Sequence, residues 1–201
     1  LAKRQRRAPL GTRDAVEVVR RAAQALAAIH SRGIVHRDLK LSNMFLVRGR
    51  GTAVKLIDFG VVKPSGQDEF DTESGTILGT PHYMAPEQAR GEAVDPRADV
   101  YSLGCVLYAM LTGSPPFHGA TARDVISRHL TDPVPSMRSV RPTIPAELER
   151  VVSRALAKAS ARARTISVRS WARGSDGRRS AAGVSFRRET SPWACIRPRT
   201  S

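Results

Sequence analysis

Two short segments combine carboxylates, an amide and a lysine in a pattern suited to moving a phosphoryl group. His36-Arg37-Asp38-Leu39-Lys40-Leu41-Ser42-Asn43 places a carboxylate, a cation and an amide oxygen within six residues, and Asp58-Phe59-Gly60 adds a second carboxylate further along. Asn43 and Asp58 are the oxygen ligands that Mg²⁺ takes alongside phosphates. Asp38 can accept the proton of an attacking hydroxyl, and Lys40 can offset charge on the transferring group. Taken singly, Asp38 or Asp58 reads as a turn or cap residue. Only their combination points to one reaction class.

The surrounding elements must bring these segments together. From Thr12, read as an N-cap, the apolar residues Val16, Val19, Ala23, Leu26 and Ile29 recur at helical spacing, with Asp14 in the first turn and an end near Gly33. Met44 to Val47 and Val54 to Ile57 flank Arg48-Gly49-Arg50-Gly51 and read as a β-hairpin. The catalytic-type segment thus lies between a helix and a strand, and Asp58 directly follows the second strand. Residues 61–80 read as a long loop, a length that usually carries function. Further helices are expected from Asp99 to Thr112, buried and ended by Gly113-Ser114-Pro115-Pro116; from Thr121 to Leu130, with a capping box to Asp124; and from Pro145 to about Lys158. Asp99 reads locally as the cap of its helix, His36 as a satisfied core histidine, and Tyr101 and Tyr108 as core. The fold class is mostly α with one small hairpin.

These residues resemble the catalytic loop and metal-binding motif of eukaryotic-like protein kinases, especially the bacterial serine/threonine kinases. The similarity continues in order through Gly79-Thr80-Pro81-His82-Tyr83-Met84-Ala85-Pro86-Glu87 and Asp99-Val100-Tyr101-Ser102-Leu103-Gly104, and covers residues 1–158. It implies ATP and Mg²⁺ as cofactors and a protein Ser/Thr hydroxyl as acceptor. By resemblance Asp38 is the catalytic carboxylate, Lys40 the phosphate-side cation, and Asn43 and Asp58 the Mg²⁺ ligands. Thr80 belongs to the loop that receives the substrate residue. Asp99 braces the catalytic loop through backbone N–H groups, and His36 and Phe59, with Gly60 beside it, link the two loops by packing. Arg37 resembles the class whose activation loop is ordered by phosphorylation, for which Thr72, Ser74 and Thr76 are the available acceptors. The resemblance also predicts an arginine partner for Glu87, from Arg162 or Arg164.

The sequence departs from the family pattern at both ends. Upstream of His36 there is no Gly-rich loop, strand lysine or paired helix glutamate: Gly11 and Gly33 are isolated, and Lys3 lies among arginines. The expected architecture is therefore a kinase C-terminal lobe without the nucleotide-binding N-lobe, a chain that does not turn over ATP alone. After Lys158 the acidic-Pro turn and Arg-Pro of the family are replaced by Ala159-Ser160-Ala161-Arg162-Ala163-Arg164-Thr165. Residues 159–201 read as a basic, low-order tail, rich in Arg and Ser, whose composition resembles translation in a wrong frame from GC-rich DNA. Leu41 stands where the family usually has Pro.

Charge and cysteine usage bound the remaining possibilities. The 201 residues carry a formal net charge of +15, the footprint of a nucleic-acid binder. Residues 1–10 hold four basic residues and no acid, and residues 160–201 hold ten Arg against Asp176 and Glu189, so the stretch between is close to neutral. No basic groove in the folded body is indicated and no nucleic acid is expected, although a basic tail binding nucleic acid stays a third reading. The longest apolar run, Val100 to Leu111, is too short for a membrane span. Cys105 and Cys195 have no ligand or disulfide-framework spacing, which fits a cytoplasmic protein. The alternative to an enzyme fragment is a non-catalytic kinase-like module that binds a protein partner.

Overall fold

The structure, a computed structural model, describes residues 9–49, 51–58, 81–158 and 171. The expected 61–80 loop, with Thr72, Ser74, Thr76 and Thr80, lies outside them, as do Phe59, Gly60 and all of 159–201 except Trp171.

Helix α1 (Thr12–His30) has its N-cap one residue earlier than expected: Gly11 is the N-cap, Thr12 is the first helical residue, and no side chain caps the turn. Its buried face is Ala15, Val18, Val19, Ala22, Ala23 and Leu26, an i, i+3, i+4, i+7 stripe, with Val16 and Ile29 at its half-buried edges. The chain turns at Gly33, whose φ of 74° suits a residue without Cβ. A 3₁₀ turn over Leu41–Asn43 leads into β1 (Met44–Gly49), which pairs antiparallel with β2 (Gly51–Leu56) in the register Met44↔Leu56 and Leu46↔Val54. Met44, Leu46, Val54 and Leu56 pack on the core, while Phe45, Val47 and Ile57 are exposed.

Past the 3₁₀ turn Pro81–Tyr83 come α2 (Pro86–Ala89), α3 (Pro96–Thr112), α4 (Ala122–Thr131), α5 (Met137–Val140) and α6 (Ala146–Ala155). The short helices α2 and α5 have too few turns to leave a periodic signal. Helix α3 begins at Pro96, capped by Asp95, whose carboxylate accepts from the Arg97 N–H at 2.7 Å. That corrects the local reading of Asp99 as a cap: Asp99 lies a turn inside the helix, and its carboxylate is spent elsewhere. Pro145 is the N-cap of α6 and not its first residue.

Helix α3 is buried on every side from Ala98 to Leu111 and packs against α1, α2, α5 and α6. Gly104 permits the close approach of α6, since a Cβ there would stand 3.1 Å from the Ala155 Cβ. The N-terminal segment is tied to the far end of α3 by Leu10 N–H to the Met110 carbonyl (2.8 Å) and by the Arg141 guanidinium to the carbonyls of Leu10 and Leu111. Trp171, inside the stretch that reads from sequence as a low-order tail, is half-buried against this same core. Among the described residues no helix is long and apolar enough to cross a membrane.

One polar cluster is sealed between α3 and α4. The Tyr101 hydroxyl meets His129 Nδ1 at 2.8 Å, the Phe117 ring stands edge-on to the imidazole, and Lys158 Nζ lies 4.4 Å from the centre of the Phe117 ring. Burial first, and then the charge of Lys158, lower the His129 pKa to about 4. Because the folded pKa lies below the unfolded one, the native state holds the neutral ring while the unfolded chain protonates. Stability from this site is complete above the ordinary histidine value and falls as pH drops from there toward 4. Between pH 7 and pH 5 the protein should lose about 2 kcal/mol more than a His129→Asn variant, read from denaturant midpoints. Parallel pH profiles for the two proteins would contradict this.

Candidate active site

The catalytic-type loop is fixed by alternating anchors. His36, Leu39, Leu41 and Asn43 are buried, and between them Asp38 and Lys40 reach the surface. The loop is held from below by α3. Asp99, 1% exposed, accepts the His36 N–H on Oδ2 and the Arg37 N–H on Oδ1, both at 2.9 Å. His30, at the end of α1, completes the set with Nε2 2.6 Å from Asp99 Oδ2. A carboxylate oxygen accepts, so Nε2 is the donor in this contact.

Above this brace the backbone is strained. Arg37 has φ of 64°, and the Asp38 N–H donates to the His36 carbonyl at 2.9 Å, a γ-turn centred on a non-glycine residue. Such left-handed geometry costs of order 1–3 kcal/mol and persists where surroundings over-determine it. Asp58 is the other non-glycine residue with positive φ, 54°. Among the described residues, the only two such positions both belong to this site.

The side chains converge on Asp38. Its Oδ2 accepts from Lys40 Nζ at 2.8 Å and from Asn43 Nδ2 at 3.0 Å, and Asn43 Nδ2 also donates to the Asp38 carbonyl at 2.9 Å. Oδ1 of Asp38 has no partner among the described residues, and the side chain is 46% exposed. One carboxylate oxygen is therefore fixed and the other is open to a hydroxyl.

The hairpin delivers the second carboxylate. The Ile57 N–H donates to the Asn43 carbonyl at 3.0 Å, continuing the β1–β2 ladder, so Asp58 follows directly beside Asn43 and is exposed. With its amide nitrogen committed to Asp38, Asn43 presents Oδ1, met only by the Ser42 hydroxyl at 3.4 Å. An amide oxygen and a carboxylate at adjoining strand ends are donor types that a hard divalent cation takes. Among the described residues no cluster of three His, Cys, Asp or Glu could hold a metal. A cation at Asn43 and Asp58 would therefore complete its shell with phosphate or water oxygens.

Of the other expected site residues, Glu87 is nearly buried in α2. Two contributors left little trace in the sequence. His30 reads there as an ordinary helix-end residue. Gln88 follows an Ala85 that has no side chain to cap, so half of the capping pattern that would have drawn notice is missing; its Nε2 donates to the Arg37 carbonyl at 2.7 Å and its Oε1 accepts from the Ala85 N–H at 3.1 Å.

A family model described as protein kinase domain matches residues 1–169. The chain is 47% identical over 152 residues to serine/threonine-protein kinase Pkn1 of Myxococcus xanthus, covering 75% of this chain and 22% of that protein. It is 45% identical over 152 residues to serine/threonine-protein kinase PknB of Mycolicibacterium smegmatis, covering 75% and 24%. To the DNA damage-responsive serine/threonine-protein kinase RqkA of Deinococcus radiodurans it is 47% identical over 137 residues, covering 68% and 20%. The chain thus spans less than a quarter of the length of these relatives. A carboxylate, lysine and asparagine gathered on a loop that is pinned to a buried helix, beside a second carboxylate at a strand end, accompany this match, and the chain belongs to the protein kinase family, in its bacterial serine/threonine branch.

Proposed function

We propose that this chain carries the catalytic loop of a protein serine/threonine kinase as its helical C-terminal lobe, residues 1–158, followed by a basic segment. In its complete form the enzyme transfers the γ-phosphoryl group of ATP to a Ser or Thr hydroxyl of a protein substrate. The observation that carries the reading is the Asp38 carboxylate, held at Oδ2 by Lys40 and Asn43 and open at Oδ1. Asp38 takes the proton of the incoming hydroxyl, and Lys40 remains close enough to stabilise charge on the phosphoryl group. Asn43 and Asp58 would hold Mg²⁺, which when bound would neutralise phosphate charge. Thr80 contributes to the acceptor-side loop. An ATP-dependent reaction and a buried, unpaired Cys105 both fit the cytoplasm.

The outer face of the hairpin supports the same reading. Phe45, Val47 and Ile57 are between 36% and 49% exposed and adjoin Asn43 and Asp58. An apolar strip next to charged, phosphate-side residues suits a purine ring and a second lobe above it. Residues 1–35 contain no Gly-rich loop or strand lysine to supply that cover.

Two outcomes follow. The 201-residue chain with Mg²⁺-ATP and a protein substrate should show no phosphoryl transfer above background. The same chain joined downstream of the nucleotide-binding lobe of a relative such as Pkn1 should be active, and Asp38→Asn should lower that activity at least 10³-fold, a size in keeping with loss of a central group in phosphoryl transfer. Transfer by the isolated chain that Asp38→Asn abolishes would overturn the fragment reading; a joined protein indifferent to Asp38→Asn would overturn the catalytic one. In the active joined protein, Arg37 pairs with a phosphorylated loop residue. Replacing Thr72, Ser74 and Thr76 together by Ala should cut the rate about tenfold or more, and an unchanged rate would count against that pairing.

A further inference from the structure

We propose that Gln88 is a positioning residue for the reaction: its side chain locks the strained turn that aims Asp38. Its catalytic consequence rests on the kinase reading above. Arg37 is held from both sides of its own residue. Its N–H is taken by Asp99, and its carbonyl by Gln88 Nε2 at 2.7 Å, fifty-one residues away in sequence. A non-glycine residue at φ of 64° persists where its surroundings over-determine it, and here both flanking peptide groups are engaged. Asp99 fixes the peptide entering Arg37. Gln88 fixes the peptide leaving it, which is the one bonded to Asp38.

The second bond of Gln88 sets its orientation. Oε1 accepts from the Ala85 N–H at 3.1 Å, so the amide can only place its NH₂ group toward the Arg37 carbonyl. Ala85 and Gln88 belong to the Ala85-Pro86-Glu87-Gln88 turn at the start of α2, and the Ser102 hydroxyl donates to the Tyr83 carbonyl just ahead of it at 2.7 Å, fastening this turn to α3. Gln88 thereby joins the segment that follows the acceptor loop to the residue before the catalytic carboxylate. A disturbance of the acceptor-side segment reaches Asp38 through one amide group.

Two variants separate this role from simple helix capping. Gln88→Glu keeps an acceptor for the Ala85 N–H but presents a carboxylate to the Arg37 carbonyl, whereas Gln88→Met removes both bonds at similar volume. The first readout, amide hydrogen exchange of Asp38 in the 201-residue chain, needs no catalysis. Both variants should speed that exchange about tenfold, the effect of losing one well-aligned hydrogen bond. The second readout is the joined kinase, where both variants should lower kcat about five- to tenfold with KM for ATP within about twofold. Wild-type exchange in both variants, or faster exchange in Gln88→Met alone, would overturn the proposal, the latter because capping of Ala85 would then explain the effect. Fast exchange in both variants with unchanged kcat would overturn the catalytic consequence. An inactive wild-type joined protein would instead overturn the kinase reading, and the exchange result would still decide whether Gln88 holds the turn.

Discussion

A carboxylate buried in the middle of a protein is costly unless donors surround it, and Asp99 meets that requirement with groups from outside its own helix. The His36 and Arg37 amides and the His30 imidazole are 63, 62 and 69 residues away in sequence, and all three converge on its two oxygens. The demand runs in both directions. Without those donors α3 would bury an unsatisfied charge, and without Asp99 the loop would leave two amides unpaired beneath it. Each element stabilises the other only in one relative placement, so the buried helix dictates the backbone of the Asp38 loop.

The same contact explains why strain sits next to Asp38. Arg37 has a left-handed φ because its N–H must reach down to Asp99 while the chain climbs back to the surface within one residue. From there buried Leu39 and Leu41 alternate with surface Asp38 and Lys40 by side-chain type, while polar Asn43 is buried with its amide bonded to Asp38. The hairpin contributes through its ladder, since the Ile57–Asn43 backbone bond brings Asp58 to Asn43. Three devices of different kinds, a buried ion, an apolar alternation and a strand register, therefore meet at one small surface.

Much of this was legible in the sequence, because periodicity and motif order carry it. The buried run of α3, the Thr121–Asp124 capping box and the hairpin all follow from local patterns, and the motifs place Asp38, Lys40, Asn43 and Asp58 on adjoining loops. What escaped was non-local or aromatic. Local pattern alone makes Asp99 look like a cap, and only the family resemblance points to it as the brace of the loop; Asp95 four residues earlier takes the cap and leaves Asp99 to accept from His36 and Arg37. Gln88 and His30 act through partners 51 and 69 residues distant, which no window of sequence contains. Trp171 stands in a stretch that reads as a basic, low-order tail, yet a single large ring can pack against a core from polar surroundings. The net charge misleads in the opposite way: its excess lies at the two ends of the chain, and the chemistry lies between them.

The dependence of the loop on one buried carboxylate is tested most directly by amide hydrogen exchange in an Asp99→Asn variant. An asparagine keeps the volume but offers one acceptor and turns an NH₂ group toward the other donors. Protection of the His36 and Arg37 amides should fall by about 10- to 100-fold relative to the original chain, while the amides in the middle of α3, around Val106 and Leu107, stay protected. Unchanged protection at His36 and Arg37 would contradict the account, because the loop would then hold its shape without the interaction on which it is said to depend.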